Sequence, residues 1–153
     1  MSIEAKIESL GFKLPAAPAS VGLYENYVKT GNLLHLSGGI PTDNEGKLLT
    51  GKVPTDVSIE EAQFAAQQII LNRLAVIKDA IGDLNKVEKI VAINGFVNSD
   101  ADFYDHPKVI NAASQMLIDI FGDKGRHSRT ALGAAALPLN VQVEINMIVE
   151  ISE

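Results

Sequence analysis

The chain has 153 residues, 46% of them hydrophobic, with no cysteine and a formal net charge of -6. That is enough chain for one conventional core without staples, and it excludes disulfides, thiolate nucleophiles and thiolate metal sites. The acidic balance, with no Lys or Arg stripe interleaved with aromatics, argues against nucleic acid, and the longest uncharged run (130–143) is shorter than the ~18 residues of a membrane span and is broken by Pro138. No apolar targeting stretch follows Met1, so the cytoplasm is the expected location.

In chain order, Ser2 is a candidate N-cap for a short helix with Ile3, Ile7 and Leu10 on one stripe and Gly11 as its stop. Leu14 to Ser20, with two prolines among alanines, forms an extended connector. Tyr24 to Lys29 and Leu33 to Ser37 read as strands around a turn at Thr30-Gly31-Asn32. Gly38-Gly39-Ile40-Pro41 leaves the sheet in turns. It lacks the Gly-Lys-Ser/Thr ending of a phosphate-binding loop.

Ser58-Ile59-Glu60-Glu61 is a capping box, and apolar residues at 59, 62, 66, 69/70, 74, 77 and 81 predict a long helix stopped by Gly82. Lys86 to Phe96 reads as a strand. Pro107 suits the first turn of another helix, whose stripe of Val109/Ile110, Ala113, Met116/Leu117 and Ile120/Phe121 stops at Gly122. Strict alternation from Val141 to Ile151 has the period of a strand with one buried face.

Pro138 and Asn140 suggest a turn between that last strand and the run before it, and so a terminal β-hairpin. With 137–140 as the loop, Gly133 would oppose Glu144 and Arg129 would oppose Ile148. Arg129 and Glu144 would then share one face, roughly 13 Å apart at the usual strand rise. The element order ββαβαββ, preceded by a short helix, predicts an α+β domain over 1–153: an N-terminal helix and connector (1–19), then a core (20–151) with two helices on one face of a mixed sheet. Several strands are apolar on both sides, so a closed homo-oligomer is expected to cover the second face.

His35, His106 and His127 show no metal-ligand spacing, and Ser37 lacks the setting of a nucleophile elbow. Capping and solvation account for Asp100, Asp102 and Asp105 better than catalysis does. Arg129 is a candidate bidentate clamp for a carboxylate, and Glu144, mid-strand, a candidate to position or deprotonate water.

Taken together, Ser128-Arg129-Thr130-Ala131-Leu132-Gly133-Ala134-Ala135-Ala136-Leu137-Pro138 and Val141-Gln142-Val143-Glu144-Ile145 resemble the C-terminal signature of the Rid (YjgF-like) family. Gly22-Leu23-Tyr24, Gly31-Asn32, Leu36-Ser37-Gly38 and Ile40-Pro41 follow the order of its N-terminal segment. The resemblance implies a chorismate-mutase-like fold, a homotrimer with clefts between subunits, and hydrolysis of 2-imino and enamine acids to 2-oxo acids and ammonia without metal or cofactor. It implies that Arg129 holds the carboxylate, that Glu144 and Tyr24 orient the attacking water, and that Ser37, Gly38 and Asn111 line the pocket. The Ala131 backbone would meet the imine nitrogen.

Ala131 stands where the family often has cysteine, and Gly39 where glutamine is common. The N-terminal helix and the segment 42–57 are additions that would reshape the pocket mouth. Rival readings are a non-catalytic module binding a small carboxylate and, more weakly, a ribonuclease.

Overall fold

A computed structural model describes residues 1–153. The elements run α1 (Ile3–Ser9), β1 (Tyr27–Thr30), β2 (Leu33–Gly39), α2 (Ile59–Ile81), β3 (Val87–Asn98), α3 (His106–Phe121), β4 (Ser128–Ala134) and β5 (Val143–Ile151), an α+β order with a short leading helix as expected. Ser2 caps α1 by accepting from the Ala5 N–H. Around α2 the capping box is complete. Ser58 Oγ accepts from the Glu61 N–H at 3.1 Å, and Glu61 Oε2 accepts from the Ser58 N–H at 2.7 Å. Gly82 ends the helix at φ 81°, a left-handed conformation in which a side chain would be strained. Asp105 stands at the N-cap of α3, but its side chain makes no capping bond there.

The strands form one sheet in the order β1-β2-β5-β3-β4, with β3 and β4 parallel and the other neighbours antiparallel. The expected terminal hairpin does not form. β5 is inserted between β2 and β3, and β4 lies on the far side of β3 as an edge strand. Pro138–Asn140 does make a tight turn, with Leu139 and Asn140 at φ 56° and 58°. The chain leaves that turn to cross β3 instead of folding back on β4. Long-range contacts fix the crossing: Asn98 Nδ2 donates to Asn140 Oδ1 and the Val141 carbonyl, and the Gln142 N–H donates to the Leu49 carbonyl.

The register decides which side chains share a face. Arg129 pairs with Ile93, whereas Glu144 pairs with Phe96, three residues further along β3. Because successive strand residues alternate in direction, an odd step puts Arg129 and Glu144 on opposite faces of the sheet. The shared face expected from a hairpin is therefore overturned.

One face of the sheet, carrying Leu34, Leu36, Ile93, Val97, Val143, Ile145, Met147 and Val149, packs under α2 and α3 in a core cluster of 31 residues. Each fully buried Ile or Leu contributes about 1.5–3 kcal/mol relative to an exposed one. The opposite face, with His35, Asn94, Phe96, Thr130, Leu132, Asn146 and Ile148, carries no helix and stays partly or fully exposed in the protomer. No helix is long and apolar enough to cross a membrane.

Candidate active site

A cavity of about 1350 Å³ is bounded by the connector after α1, the end of β2, the loop after it and one side of α2. Tyr24, Ser37, Gly38 and Glu144 all line it, so the fold gathers four of the residues singled out in the sequence. Gly11 to Ala16 and Thr42 to Asn44 contribute to the wall, as do Pro138 and Leu139, so the N-terminal segment and the long loop do shape the pocket.

Glu144 is half-buried beside the β2 bulge, and burial raises its carboxyl above the ordinary carboxylate range. A carboxylate made more basic in this way is suited to take a proton from water. A Cβ on Gly38 would sit 2.8 Å from Glu144 Oε1, so glycine is what lets the acid lie against this strand. Tyr24 rests against Gly22, and its hydroxyl accepts a long 3.5 Å bond from the Val21 N–H. Ser37 is held rather than free: its Oγ donates to the Glu25 carbonyl at 2.5 Å and its N–H to the Asn26 carbonyl at 2.9 Å.

Arg129, Asn111 and Ala131 lie elsewhere, on β4 and α3. Arg129 Nη1 donates to Asn111 Oδ1 at 2.7 Å and to Ser114 Oγ at 3.2 Å, which fixes the guanidinium on the outer side of α3 while leaving it exposed. The Asn111 reading thus acquires a definite contact with Arg129. Ala131 is half-buried and packs towards the core.

Behind them His127 Nδ1 lies 2.6 Å from the Gly125 carbonyl and Nε2 lies 2.9 Å from Ser114 Oγ. A carbonyl only accepts, so Nδ1 carries the proton. In the neutral ring Nε2 then accepts from the Ser114 hydroxyl, whose lone pairs face Arg129. Burial keeps the His127 ring below the ordinary histidine range, offset in part by the Gly125 bond and reinforced by Arg129 and Lys89.

Sequence reasoning missed Ser114, which bears no motif, and Arg73, which did carry a signal. Arg73 falls on the buried stripe of α2 between Ile69/Ile70 and Ile77, where an aliphatic residue is the norm. It lines the same cavity. No three His, Asp or Glu side chains converge in a way that could hold a metal ion.

A mixed five-stranded sheet with helices on one face, an acid on a central strand and an arginine on the edge strand define a chorismate-mutase-like α+β protein. Residues 4–151 match the family described as "YjgF/chorismate_mutase-like, putative endoribonuclease". The chain belongs to this Rid/YjgF family. It is 38% identical over 151 residues to Protein TCP17 of Trypanosoma cruzi, covering 98% of this chain and 94% of that one. It is 30% identical over 138 residues to a 2-iminobutanoate/2-iminopropanoate deaminase of Dermatophagoides farinae, covering 90% and 92%. The crystal structure of Atu1372 from Agrobacterium tumefaciens, a protein of unknown function, superposes with a TM-score of 0.91 at 43% identity, covering 98% of this chain and 92% of that one.

Proposed function

We propose that the protein hydrolyses small 2-imino acids, and their enamine tautomers, to 2-oxo acids and ammonia. The observation that carries this reading is Glu144: a half-buried acid with raised proton affinity, facing the cavity that Tyr24 and Ser37 also line. Relatives named as imine deaminases share the family.

In this reaction Arg129 clamps the substrate carboxylate and Glu144 accepts a proton from water as its oxygen bonds to the imine carbon. The resulting carbinolamine collapses as its C–N bond breaks. Glu144 returns its proton to the nitrogen, which leaves as ammonia, and the freed carboxylate takes the hydroxyl proton as the oxygen becomes the ketone. An iminium carbon is already electrophilic, so positioning a water beside it supplies most of the acceleration.

Since Arg129 and Glu144 face opposite ways on one sheet, the two roles belong to different copies of the chain. A homotrimer that covers the open face and forms clefts between subunits satisfies this requirement. We place the protein in the cytoplasm.

The test generates 2-imino acids in place with an amino-acid oxidase or threonine dehydratase and compares the wild type with Arg129→Ala. Faster ammonia release by the wild type, with the variant folded and slow, is expected. No acceleration by the wild type across several imino acids would overturn the reaction.

A further inference from the structure

Arg73 is the one buried residue that carries a formal charge. It is 4% exposed, on a helix stripe otherwise aliphatic. Its partners are neutral: Nη1 donates to the Ser37 carbonyl at 3.0 Å and Nε to Asn72 Oδ1 at 3.1 Å. None of the ion pairs of the molecule includes it. A cation withdrawn from water without a counter-charge is unfavourable in the free protein. Burial accordingly holds the guanidinium below its ordinary range, with Tyr24 opposing that effect. Glu144 lies against the neighbouring Gly38 and forms no ion pair with the guanidinium.

The surroundings preserve this cost. A Cβ on Gly39 would lie 2.7 Å from Arg73 Nε and 3.0 Å from its Cδ, so the glycine that replaces the family's frequent glutamine makes the room the arginine occupies. The remaining donors of the planar fork belong to a side chain that lines the cavity shared with Tyr24 and Glu144.

We propose that Arg73 is a second anion anchor in this cavity, receiving a side-chain carboxylate of the ligand, so that the preferred substrates are dicarboxylic imino acids. The inference rests on the proposed function, in which Arg129 of one subunit holds the first carboxylate. Arg73 and Glu144 lie against neighbouring glycines on the two sides of β2 and line one cavity, so a ligand whose reacting carbon faces Glu144 can extend past the Gly38–Gly39 backbone towards Arg73. The anion supplies the counter-charge that the protein withholds.

Calorimetric titration of stable 2-oxo acids tests this without requiring turnover. The probes are 2-oxoglutarate and 2-oxobutyrate, on wild type, Arg73→Gln and Arg73→Lys, with the fold and oligomeric state of each variant checked by circular dichroism and light scattering. Wild type should bind the dicarboxylate about tenfold more tightly, the scale of one added charge-assisted contact. In Arg73→Gln that ratio should collapse towards one because the dicarboxylate weakens, and Arg73→Lys should fall between.

Equal wild-type affinities, no binding of the dicarboxylate, a ratio that survives both substitutions, or equal weakening of both ligands would each overturn the proposal; the last would mark Arg73 as a clasp for β2 only. If Arg73→Gln does not fold, the wild-type ratio and Arg73→Lys decide. Rapid turnover of monocarboxylic imines with no dicarboxylate preference would remove this inference alone. A dicarboxylate preference without any imine turnover would remove the deaminase reading and leave the anchor.

Discussion

Arg73 and Glu144 press on one dipeptide from opposite sides of the sheet: Glu144 lies against Gly38 and Arg73 against Gly39. Neither glycine has a positive φ, so close approach and not backbone conformation is what requires them. Gly39→Ala would drive a methyl into Arg73 Nε at 2.7 Å and Ile69 Cγ2 at 2.9 Å. Overpacking of this kind costs about 1–3 kcal/mol, which lowers the midpoint of a chain this size by several degrees in a thermal melt. Gly38→Ala displaces only the end of Glu144, so imine turnover should fall more than stability.

Glu144→Gln should abolish turnover while leaving the protein as stable or more so. Removing a general base costs roughly 10²–10⁴ in rate. The native carboxyl holds its proton more tightly than the unfolded one. Its contribution to stability is therefore present below the ordinary carboxylate range and is lost as pH rises through its raised native value. Glutamine escapes that loss. Melts at pH 4 and pH 7 should show the variant gaining on the wild type at the higher pH.

Ser114→Ala should weaken carboxylate binding without unfolding the protein, because Ser114 holds Arg129 from behind and touches no cavity wall. The expected signature is a raised KM for imino acid with a smaller change in kcat. A fall in kcat alone would count against the positioning role.

His127 gives the same cluster a pH dependence. Its native value lies below the unfolded one, so its stabilising contribution is present above about pH 6.5 and is lost as pH falls through the depressed native value. Between pH 7 and pH 5 the wild-type midpoint should drop more steeply than that of His127→Asn, compared by calorimetry in matched buffers.

What was legible in the sequence was local. Ser58, Glu61 and Gly82 fixed both ends of α2 because a capping box and a left-handed stop are made by neighbours in the chain. Pro107 and Gly122 bounded α3 in the same way. Alternation from Val143 to Ile151 correctly showed a strand buried on one face. It could not show which strands flank it: a period of two specifies a face, not a partner. Asn98, Leu49 and Gln142, far apart in sequence, settle that β5 crosses β3. The gathering of Tyr24, Ser37, Gly38 and Glu144 was readable through family motifs. Arg73 was readable only by asking why a charge interrupts an apolar stripe.

The opposed directions of Arg129 and Glu144 make the proposed activity a property of pairs of chains. Arg129→Ala and Glu144→Gln should each be inactive when purified alone. Dissociated and reassembled together, they should regain activity, because in the proposed homotrimer every mixed assembly contains one cleft in which an intact arginine from one parent meets an intact acid from the other. Two defective genes expressed in one cell would then complement each other, and a single defective copy beside a normal one would be partly masked rather than dominant.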